Sequence, residues 1–341
     1  IRQQQLEWLR PHPAFAPCRN HGPAPENALV PIPAGRVHLG RERDEPVYGW
    51  DNEYGRHEAE VGAFAASRYL VSNGEYLAFV EDGGYGDDAL WDEEGRGWRH
   101  LARAAHPTFW VRDGDAWQLR LLTEAVPMPW DWPVEVNCHE ARAFCNWKSR
   151  ATGEPVRLPT EDEWQRLYEH CGAPAVAPDA PAAANIHLDH YASSCPVTTF
   201  RHGELYDAIG NAWQWTETPI HPLDGFAVHP LYDDFSTPTF DGRHNLIKGG
   251  SWISCGNEAL ADSRYAFRRH FFQHAGFRYV VGAAPAAIPS SHYETDRLLA
   301  EYAEFHYGEE YFGVPNFPAA MAQLAIRAHG DRPARRALDL G

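Results

Sequence analysis

The sequence predicts an α+β fold with much irregular loop structure. From Leu29 onward, short runs typical of β-strands alternate with loops rich in Gly, Asp and Trp. The segment 138–151 is typical of a helix, and 161–171 is a second predicted helix. Thr160 and Glu163 stand at the start of the second one in the spacing of a capping box. Two helices among many short strands indicate the α+β class.

Long stretches between these elements show little periodicity. The ranges 85–130 and 172–205 are predicted to be loops, and so much irregular chain in a compact domain usually means functional loops on a scaffold. We interpret 1–28 as a helix end and linker, and 284–335 as a helical connector. The apolar run 336–341 ends in Asp-Leu-Gly, which is typical of the first strand of a nucleotide-type α/β domain. We therefore expect both ends to be cuts through a longer protein.

Charge and hydrophobicity argue against two classes of partner. The 341 residues carry a net charge of −17, whereas a nucleic-acid-binding protein must offer clustered Lys and Arg to phosphates. No apolar run approaches the roughly 18 residues that a membrane helix needs. The six cysteines form no CxxC pair and no zinc-like spacing, so reduced thiols in a cytoplasmic protein are expected. We expect neither nucleic acid nor a membrane as partner.

Seven segments, in order, resemble the formylglycine-generating-enzyme-like fold, a domain related to C-type lectins. They are LVPIPAGRVHLG (29–40), YLVSNGEYLAF (69–79), PVEVNCHEARAFCNW (133–147), RLPTEDEW (157–164), GNAWQWT (210–216), KGGSW (248–252) and GFR (276–278). Each segment is weak alone, but seven in the right order are a strong signal. The resemblance implies that 29–283 is one domain of this fold, and the function must be argued from its site.

The copper chemistry of formylglycine-generating enzymes is disfavoured. In that family a cysteine pair shortly after the GGS segment binds copper. The corresponding window here, 259–272, holds no cysteine, and Cys255 stands alone. Because a copper–thiolate oxidase needs soft sulfur ligands, this chain does not fit that activity.

Three segments are similar to a narrower family, the 5-histidylcysteine sulfoxide synthases of ovothiol biosynthesis. They are 229–254, 263–278 and 290–318. The resemblance implies an N-terminal iron-binding helical domain, this central domain and a C-terminal methyltransferase that uses S-adenosylmethionine. It implies an iron(II)- and O2-dependent enzyme that joins the sulfur of cysteine to the imidazole of histidine. This chain would supply the substrate-binding half of the site and would be inactive alone.

Two alternatives stay open. The related ergothioneine-type sulfoxide synthases share the central domain, although they usually lack the methyltransferase tail. A non-catalytic, lectin-like ligand-binding module is the other, because lectin-like scaffolds often serve as recognition domains.

No complete metal site is predicted in this chain. The family's iron ligands lie in an HxxxHxE motif, plus one further His, of the N-terminal domain. His270 and His274 have HxxxH spacing, but no acidic residue follows at the right place. We therefore expect the iron ligands to lie outside this chain. Asn185 resembles part of a calcium-binding segment of fold relatives, with Asp189 as the nearest acid, so calcium is a weak expectation.

The arginine-rich stretch 263–278 is the predicted substrate-binding segment. Two zwitterionic amino acids must be held beside the iron, and their carboxylates favour Arg side chains. Arg268 and Arg269 are the candidates, with His270 and Phe271 shaping the wall of the pocket. Because adjacent residues often point apart, we expect one of the two arginines to support the loop instead.

Tyr232 is the predicted catalytic acid. The resemblance implies a tyrosine near the iron as proton or hydrogen donor, and Tyr232 lies in the comparable region upstream of KGGSW. A phenol can donate its proton while staying neutral near pH 7. Asp233 could bind a substrate ammonium group, and His229 is a further possible donor.

Overall fold

The computed structural model describes residues 14–45, 48–173, 183–229, 232 and 235–285. In this part there are four α-helices: α1 Asn73–Glu81, α2 Glu93–Ala102, α3 Cys138–Thr152 and α4 Glu161–Cys171. Most of the predicted connector, the predicted strand at 336–341 and the first 13 residues lie outside the described residues. None of the described helices has the length and hydrophobicity needed to cross a bilayer.

Strands in the described part are short and form several small sheets. They are β1 Leu29–Ile32, β2 Gly35–Leu39, β3 His57–Val61, β4 Phe64–Ser67, β5 Trp110–Asp113, β6 Ala116–Arg120, β7 Ala125–Pro127, β8 Val156–Arg157, β9 Arg201–His202, β10 Leu205–Tyr206, β11 Trp213–Pro219, β12 His244–Lys248, β13 Tyr265–Arg268, β14 Ala275–Gly276 and β15 Val280–Val281.

Two four-stranded sheets form the framework. One has the strand order β1-β4-β15-β8, and the other has the order β13-β12-β11-β14. In the second sheet β11, β12 and β13 are antiparallel neighbours, while β14 pairs parallel with β11. Smaller sheets pair β2 with β3, β9 with β10, and β5, β6 and β7 in order. The predicted α+β class is confirmed.

The two predicted helices are confirmed, and their ends have clear local causes. Asn137 and Glu140 form a reciprocal capping box at the start of α3, and Thr160 and Glu163 form the same arrangement at the start of α4. Each helix is followed by a glycine with positive φ, where the left-handed conformation suits a residue without a side chain.

The prediction of loop for 85–130 is wrong. This range holds α2 and the sheet β5-β6-β7. Asp92 caps α2, and the helix ends at Arg103, which has a left-handed φ of 51°. Gly95 and Gly97 lie inside this helix and lower its intrinsic propensity, so the caps and tertiary packing must offset them.

An aromatic core joins the helices to the sheets. Tyr76 of α1 stacks on Phe144 of α3 at a ring separation of 5.4 Å, and Phe144 lies edge-on to Phe277, 5.3 Å away. All three side chains are fully buried. Such pairs add directional preference to the hydrophobic burial. The core therefore fixes α3 against the chain that leaves β14.

Candidate functional site

The turn that follows β13 carries the predicted substrate-binding residues. The amide of Phe271 donates to the carbonyl of Arg268, and the amide of Cys138 at the start of α3 donates to the carbonyl of Arg269, both at 2.9 Å. The turn is thus closed on itself and tied to the core helix. This anchoring gives its side chains defined directions.

Arg268 and Arg269 point to opposite sides of the sheet. Arg268 lies directly opposite His244 of β12, and the next pair along is Phe267 with Asn245. Side chains alternate between the faces of a strand, so Arg268 shares a face with His244. The Arg269 side chain reaches Asn245, on the other face.

Arg269 is engaged within the protein. Its Nε donates to Asn245 Oδ1 at 2.8 Å, its Nη1 pairs with Glu94 at 2.6 Å, and its Nη2 donates to the carbonyl of Gly242 at 2.7 Å. These bonds join the turn after β13 to α2 and to the loop before β12. The side chain supports the loop, as one of the two arginines was expected to do.

Arg268 has no such partners. Its half-buried side chain makes no hydrogen bond or ion pair with any residue that the structure describes. A half-buried guanidinium with open donors is suited to an external carboxylate. Of the two predicted carboxylate binders, Arg268 is the one whose geometry is open to a ligand.

A carboxylate–imidazole pair lies beside Arg268. His244 Nδ1 donates to Asp241 Oδ1 at 2.8 Å, and both side chains are largely buried. Burial alone would raise the pKa of Asp241. The hydrogen bonds from His244 and from the Arg243 amide, with the charges of His244 and Arg268, outweigh it and hold that pKa below its usual range. Sequence reasoning missed this pair; its only signal was Asp-x-x-His just before the KGGSW segment.

His270 and Phe271 line a cavity of about 700 Å³. Its remaining walls come from α2 and the following loop, from α3 and from the end of the turn: Trp98, 102–106, Thr108, Glu140, Phe272 and Gln273. Burial lowers the pKa of His270, and the positive charge of Arg268 lowers it further, so the ring is mainly neutral near pH 7. Through this imidazole, the cavity adjoins Arg268 and the pair formed by Asp241 and His244.

Tyr232 lies in an aromatic cluster that contacts Tyr265 of β13. Its ring contacts Trp50 at 5.6 Å and Phe235 at 5.7 Å, and Trp50 stacks on Phe235 at 4.0 Å. The side chain is 46% exposed. Its amide donates to His229 Nδ1 at 3.1 Å, and the His229 amide donates to Asp51 at 3.2 Å. The partly exposed side chain of Tyr232 therefore lies on a loop that is anchored to the buried Asp51 through His229.

The structure brings together only some of the predicted site residues. Arg268, His270 and Phe271 share one turn, and Tyr232 and His229 share a loop. Among the described residues, no hydrogen bond or ring contact joins Tyr232 to Arg268, His270 or Phe271. Asp233 lies outside the described residues, so its predicted role remains a prediction.

His270 and His274 do not share a helical face. His274 has a left-handed φ of 50°, and its Nδ1 lies 3.2 Å from Glu135 Oε2, with its ring against Trp252. Within the part of the chain described here, no group of three or more His, Cys, Asp or Glu side chains could hold a metal ion. These residues do not fit an iron centre.

The predicted calcium segment forms a buried polar network. Asn185 Nδ2 donates to the carbonyl of Ser193 at 3.0 Å and to Asn211 Oδ1 at 3.2 Å, while its own Oδ1 has no hydrogen-bond partner. Asp189, the nearest predicted acid, is 54% exposed and lies 3.8 Å from His187 Nδ1. Calcium at this place remains a prediction.

Comparison with curated proteins identifies oxygenases and formylglycine-generating enzymes as relatives. The chain is 34% identical over 223 residues to hercynine oxygenase from Mycobacterium tuberculosis, which is 61% of this chain and 50% of that protein. It is 28% identical over 268 residues to the formylglycine-generating enzyme of Bos taurus, covering 68% and 67%. The chain spans about half the length of the hercynine oxygenases that it matches.

Solved structures and a family model agree on the fold. The structure is similar to PvdO from Pseudomonas aeruginosa, with a TM-score of 0.51 and 19% sequence identity, covering 78% of this chain and 100% of that chain. At this identity the likeness shows a common fold alone. The family model of the sulfatase-modifying factor enzyme 1-like domain matches residues 18–283. The chain therefore belongs to the sulfatase-modifying factor enzyme 1-like family and has the formylglycine-generating-enzyme-like fold.

Proposed function

We propose that this protein is a sulfoxide synthase, an O2-dependent enzyme that joins a thiol sulfur to the imidazole ring of a histidine-type substrate. The observation that carries the proposal is the open guanidinium of Arg268 next to a cavity walled by His270 and Phe271. The hercynine oxygenases, to which the chain is 34% and 32% identical, are named for hercynine, a histidine betaine.

Arg268 would bind the carboxylate of an amino-acid substrate. Its donors are unused by the described protein, whereas those of Arg269 are committed to Asn245, Glu94 and Gly242. The neutral ring of His270 leaves the positive charge of Arg268 available for the ligand. The cavity beside it has a volume in the range of small-molecule sites and would enclose the side chain of the substrate.

The iron of this reaction would be held by ligands that the described residues do not supply. Bound iron(II) would supply the activation of O2. The part described here would bind and orient the substrates and exclude water from them. The S-adenosylmethionine prediction rests on 336–341, outside the described residues, and stays a prediction.

Two histidine-type substrates are candidates. The names of the relatives, hercynine oxygenase and ergothioneine biosynthesis protein 1 of Schizosaccharomyces pombe, support an ergothioneine-type reaction on hercynine. The segments 229–254, 263–278 and 290–318 support the ovothiol-type reaction on histidine as the second candidate. In both, cysteine or a cysteine derivative would supply the sulfur.

The assay for this proposal uses the native protein at its full natural length, loaded with iron(II). It is incubated with O2, cysteine and either histidine or hercynine, and the products are analysed by mass spectrometry. We expect a coupled sulfoxide, and the imidazole substrate with the higher kcat/KM assigns the branch. If the iron-loaded protein forms no coupled product with either one, the proposal fails and the lectin-like binding module becomes the better account.

Tyr232 would serve as the proton donor. Its side chain is 46% exposed, so an incoming substrate could reach it. In Tyr232→Phe the proton donor is missing, and we expect the ratio of coupled sulfoxide to cysteine sulfinate to fall about tenfold or more. The control is Phe226→Tyr, which adds a hydroxyl to a different aromatic side chain and should leave the product ratio unchanged. An unchanged product ratio in Tyr232→Phe would remove this role.

A further inference from the structure

Asp241 and His244 form a fixed pair that no part of the proposed reaction has used. His244 begins β12, and Asp241 lies three residues earlier in the turn before that strand. Asp241 Oδ1 accepts from His244 Nδ1 and from the Arg243 amide, each at 2.8 Å. Gly242 completes the turn with a positive φ of 70°. The imidazole therefore has one orientation, set by the carboxylate and the turn together.

The carboxylate also decides which ring nitrogen carries the proton. The positive charges and hydrogen bonds around Asp241 lower its pKa, so it is ionised near pH 7 and can only accept hydrogen bonds. The proton of a neutral His244 ring is consequently on Nδ1, and Nε2 presents a lone pair. A carboxylate that fixes a histidine in this way is a common means of presenting Nε2 to a ligand.

The lone pair lies on the face of the sheet that carries Arg268. His244 and Arg268 are directly opposite each other on β12 and β13, so their side chains project from the same face. His244 Nε2 makes no hydrogen bond to any described residue, and it is not buried away from solvent. The charge of Arg268 also acts on the ring of His270 at the cavity edge. The guanidinium of Arg268, a hydrogen-bond donor, and Nε2 of His244, an acceptor, are therefore neighbours without described hydrogen-bond partners.

We propose that Arg268 and His244 together recognise an α-amino acid with an unmodified ammonium group, Arg268 binding the carboxylate and His244 Nε2 accepting an ammonium N–H. This inference rests on the proposed function for the Arg268 site and adds its specificity. A trimethylated nitrogen has no N–H to donate, so the same site discriminates against betaines. Free cysteine, one of the two kinds of sulfur donor considered above, carries such an unmodified ammonium group.

The binding experiment compares each amino acid with its own betaine. L-cysteine, L-histidine and their Nα-trimethyl derivatives are titrated into the 341-residue chain by isothermal titration calorimetry under reducing conditions. A hydrogen bond to a charged group contributes about 1.5–3 kcal/mol, so we expect about tenfold or greater preference for the unmethylated form of at least one amino acid. The absence of any such preference for either amino acid overturns the proposal.

Variants of His244 separate recognition from a purely structural role. In His244→Leu the unmethylated ligand should bind about tenfold more weakly while the betaine stays within about twofold, so the preference disappears. His244→Gln, whose Oε1 can replace Nε2 as acceptor, should restore it. A preference that persists in His244→Leu contradicts the proposal. If His244→Leu does not fold, Asp241→Asn gives the same test, because it releases the fixed tautomer and should reduce the preference.

Two controls distinguish this inference from the proposed function. His57→Leu removes another histidine paired with an aspartate, Asp162, at 3.1 Å, and should leave the preference unchanged. Arg268→Met should weaken the binding of the unmethylated and the trimethylated ligands alike, because both have the carboxylate. If Arg268→Met weakens the binding of both ligands but His244→Leu keeps the preference for the unmethylated form, Arg268 binds the carboxylate as proposed and the role given to His244 is wrong. If no ligand binds to a folded wild-type chain, both fail.

Discussion

At the scale of single residues, Glu161 is the centre of a buried ion cluster. Arg264 donates to its two carboxylate oxygens at 2.9 and 3.0 Å, and Lys248 Nζ lies 3.5 Å away. Burial would raise the pKa of Glu161, but the charges of Arg264 and Lys248 lower it to about 2. The cluster ties the start of α4 to the end of β12 and to the residue before β13.

Glu161→Gln should strongly destabilise the protein. It leaves two cationic side chains buried without their carboxylate, and breaking such a cluster decreases the free energy of unfolding by about 3–5 kcal/mol. Urea unfolding measures the change. Glu60→Gln, which removes one partner of the exposed pair Arg36–Glu60, is the matched control and should change stability by less than about 1 kcal/mol. Equal effects of the two substitutions would show that the buried cluster is not a structural anchor.

At the scale of elements, the start of α3 contains a carboxyl group that titrates near neutrality. Glu140 accepts from the Asn137 amide at 2.9 Å and from the Tyr85 hydroxyl at 2.5 Å. Its side chain is fully buried, and burial raises its pKa from 4.5 to about 7 despite both hydrogen bonds. Between these two pH values the folded state binds more protons than the unfolded state. The Glu140 contribution to stability is therefore lost as the pH rises from about 4.5 to about 7.

Glu140→Gln should remove this pH dependence. The amide keeps an acceptor for Asn137 and offers a donor to Tyr85, and it does not titrate. Relative to wild type, the variant should gain about 2–3 kcal/mol in unfolding free energy at pH 8 compared with pH 5. Urea unfolding at both pH values measures the difference. The buried Glu53, whose pKa is also raised to about 7 by burial, is present in both proteins and cancels. A stability difference that is the same at both pH values would contradict the assignment.

At the scale of the whole molecule, the packing protects five of the six cysteines. The buried ones are Cys18, Cys138, Cys145, Cys171 and Cys195, and Cys255 is exposed. Burial raises the pKa of each of the five buried thiols, which keeps them in the unreactive protonated form.

A thiol-specific reagent should therefore modify one cysteine per folded chain. In Cys255→Ser this rapid reaction should be absent, whereas urea should expose all six thiols of the wild type. The colour released by a disulfide reagent gives the count. Rapid modification of two or more thiols in the folded protein would mean that the core opens more readily than its packing indicates.

Sequence reasoning succeeded where local interactions decide the structure. The capping residues Thr160 and Glu163 define the start of α4 as predicted, and ordered motifs identified the fold. It failed for α2, because Gly95 and Gly97 weaken the helical signal and the helix depends on packing. The pair of Asp241 and His244 was also missed, since its position opposite a distant strand is set by sheet register.

In the candidate site, too, local sequence predicts some features, whereas others depend on contacts between distant parts of the chain. Strand alternation alone implies that Arg268 and Arg269 diverge. Which of the two stays open depends on contacts that only the folded chain creates, because the carboxylate of Glu94 on α2 and the side chain of Asn245 on β12 both bind Arg269. The contact of the Tyr232 cluster with Tyr265 of β13 is likewise a property of the assembled loops.

The most direct test of the account compares Arg268→Met with Arg269→Met in the coupling assay and in urea unfolding. Arg268→Met should raise the KM for an amino-acid substrate about tenfold or more and change the free energy of unfolding by less than about 1 kcal/mol, because its guanidinium makes no hydrogen bond or ion pair with a described residue. Arg269→Met should lower the stability by about 1–3 kcal/mol, because Asn245, Gly242 and Glu94 lose their partner. Unchanged KM values in Arg268→Met, with normal coupling, would contradict the central claim.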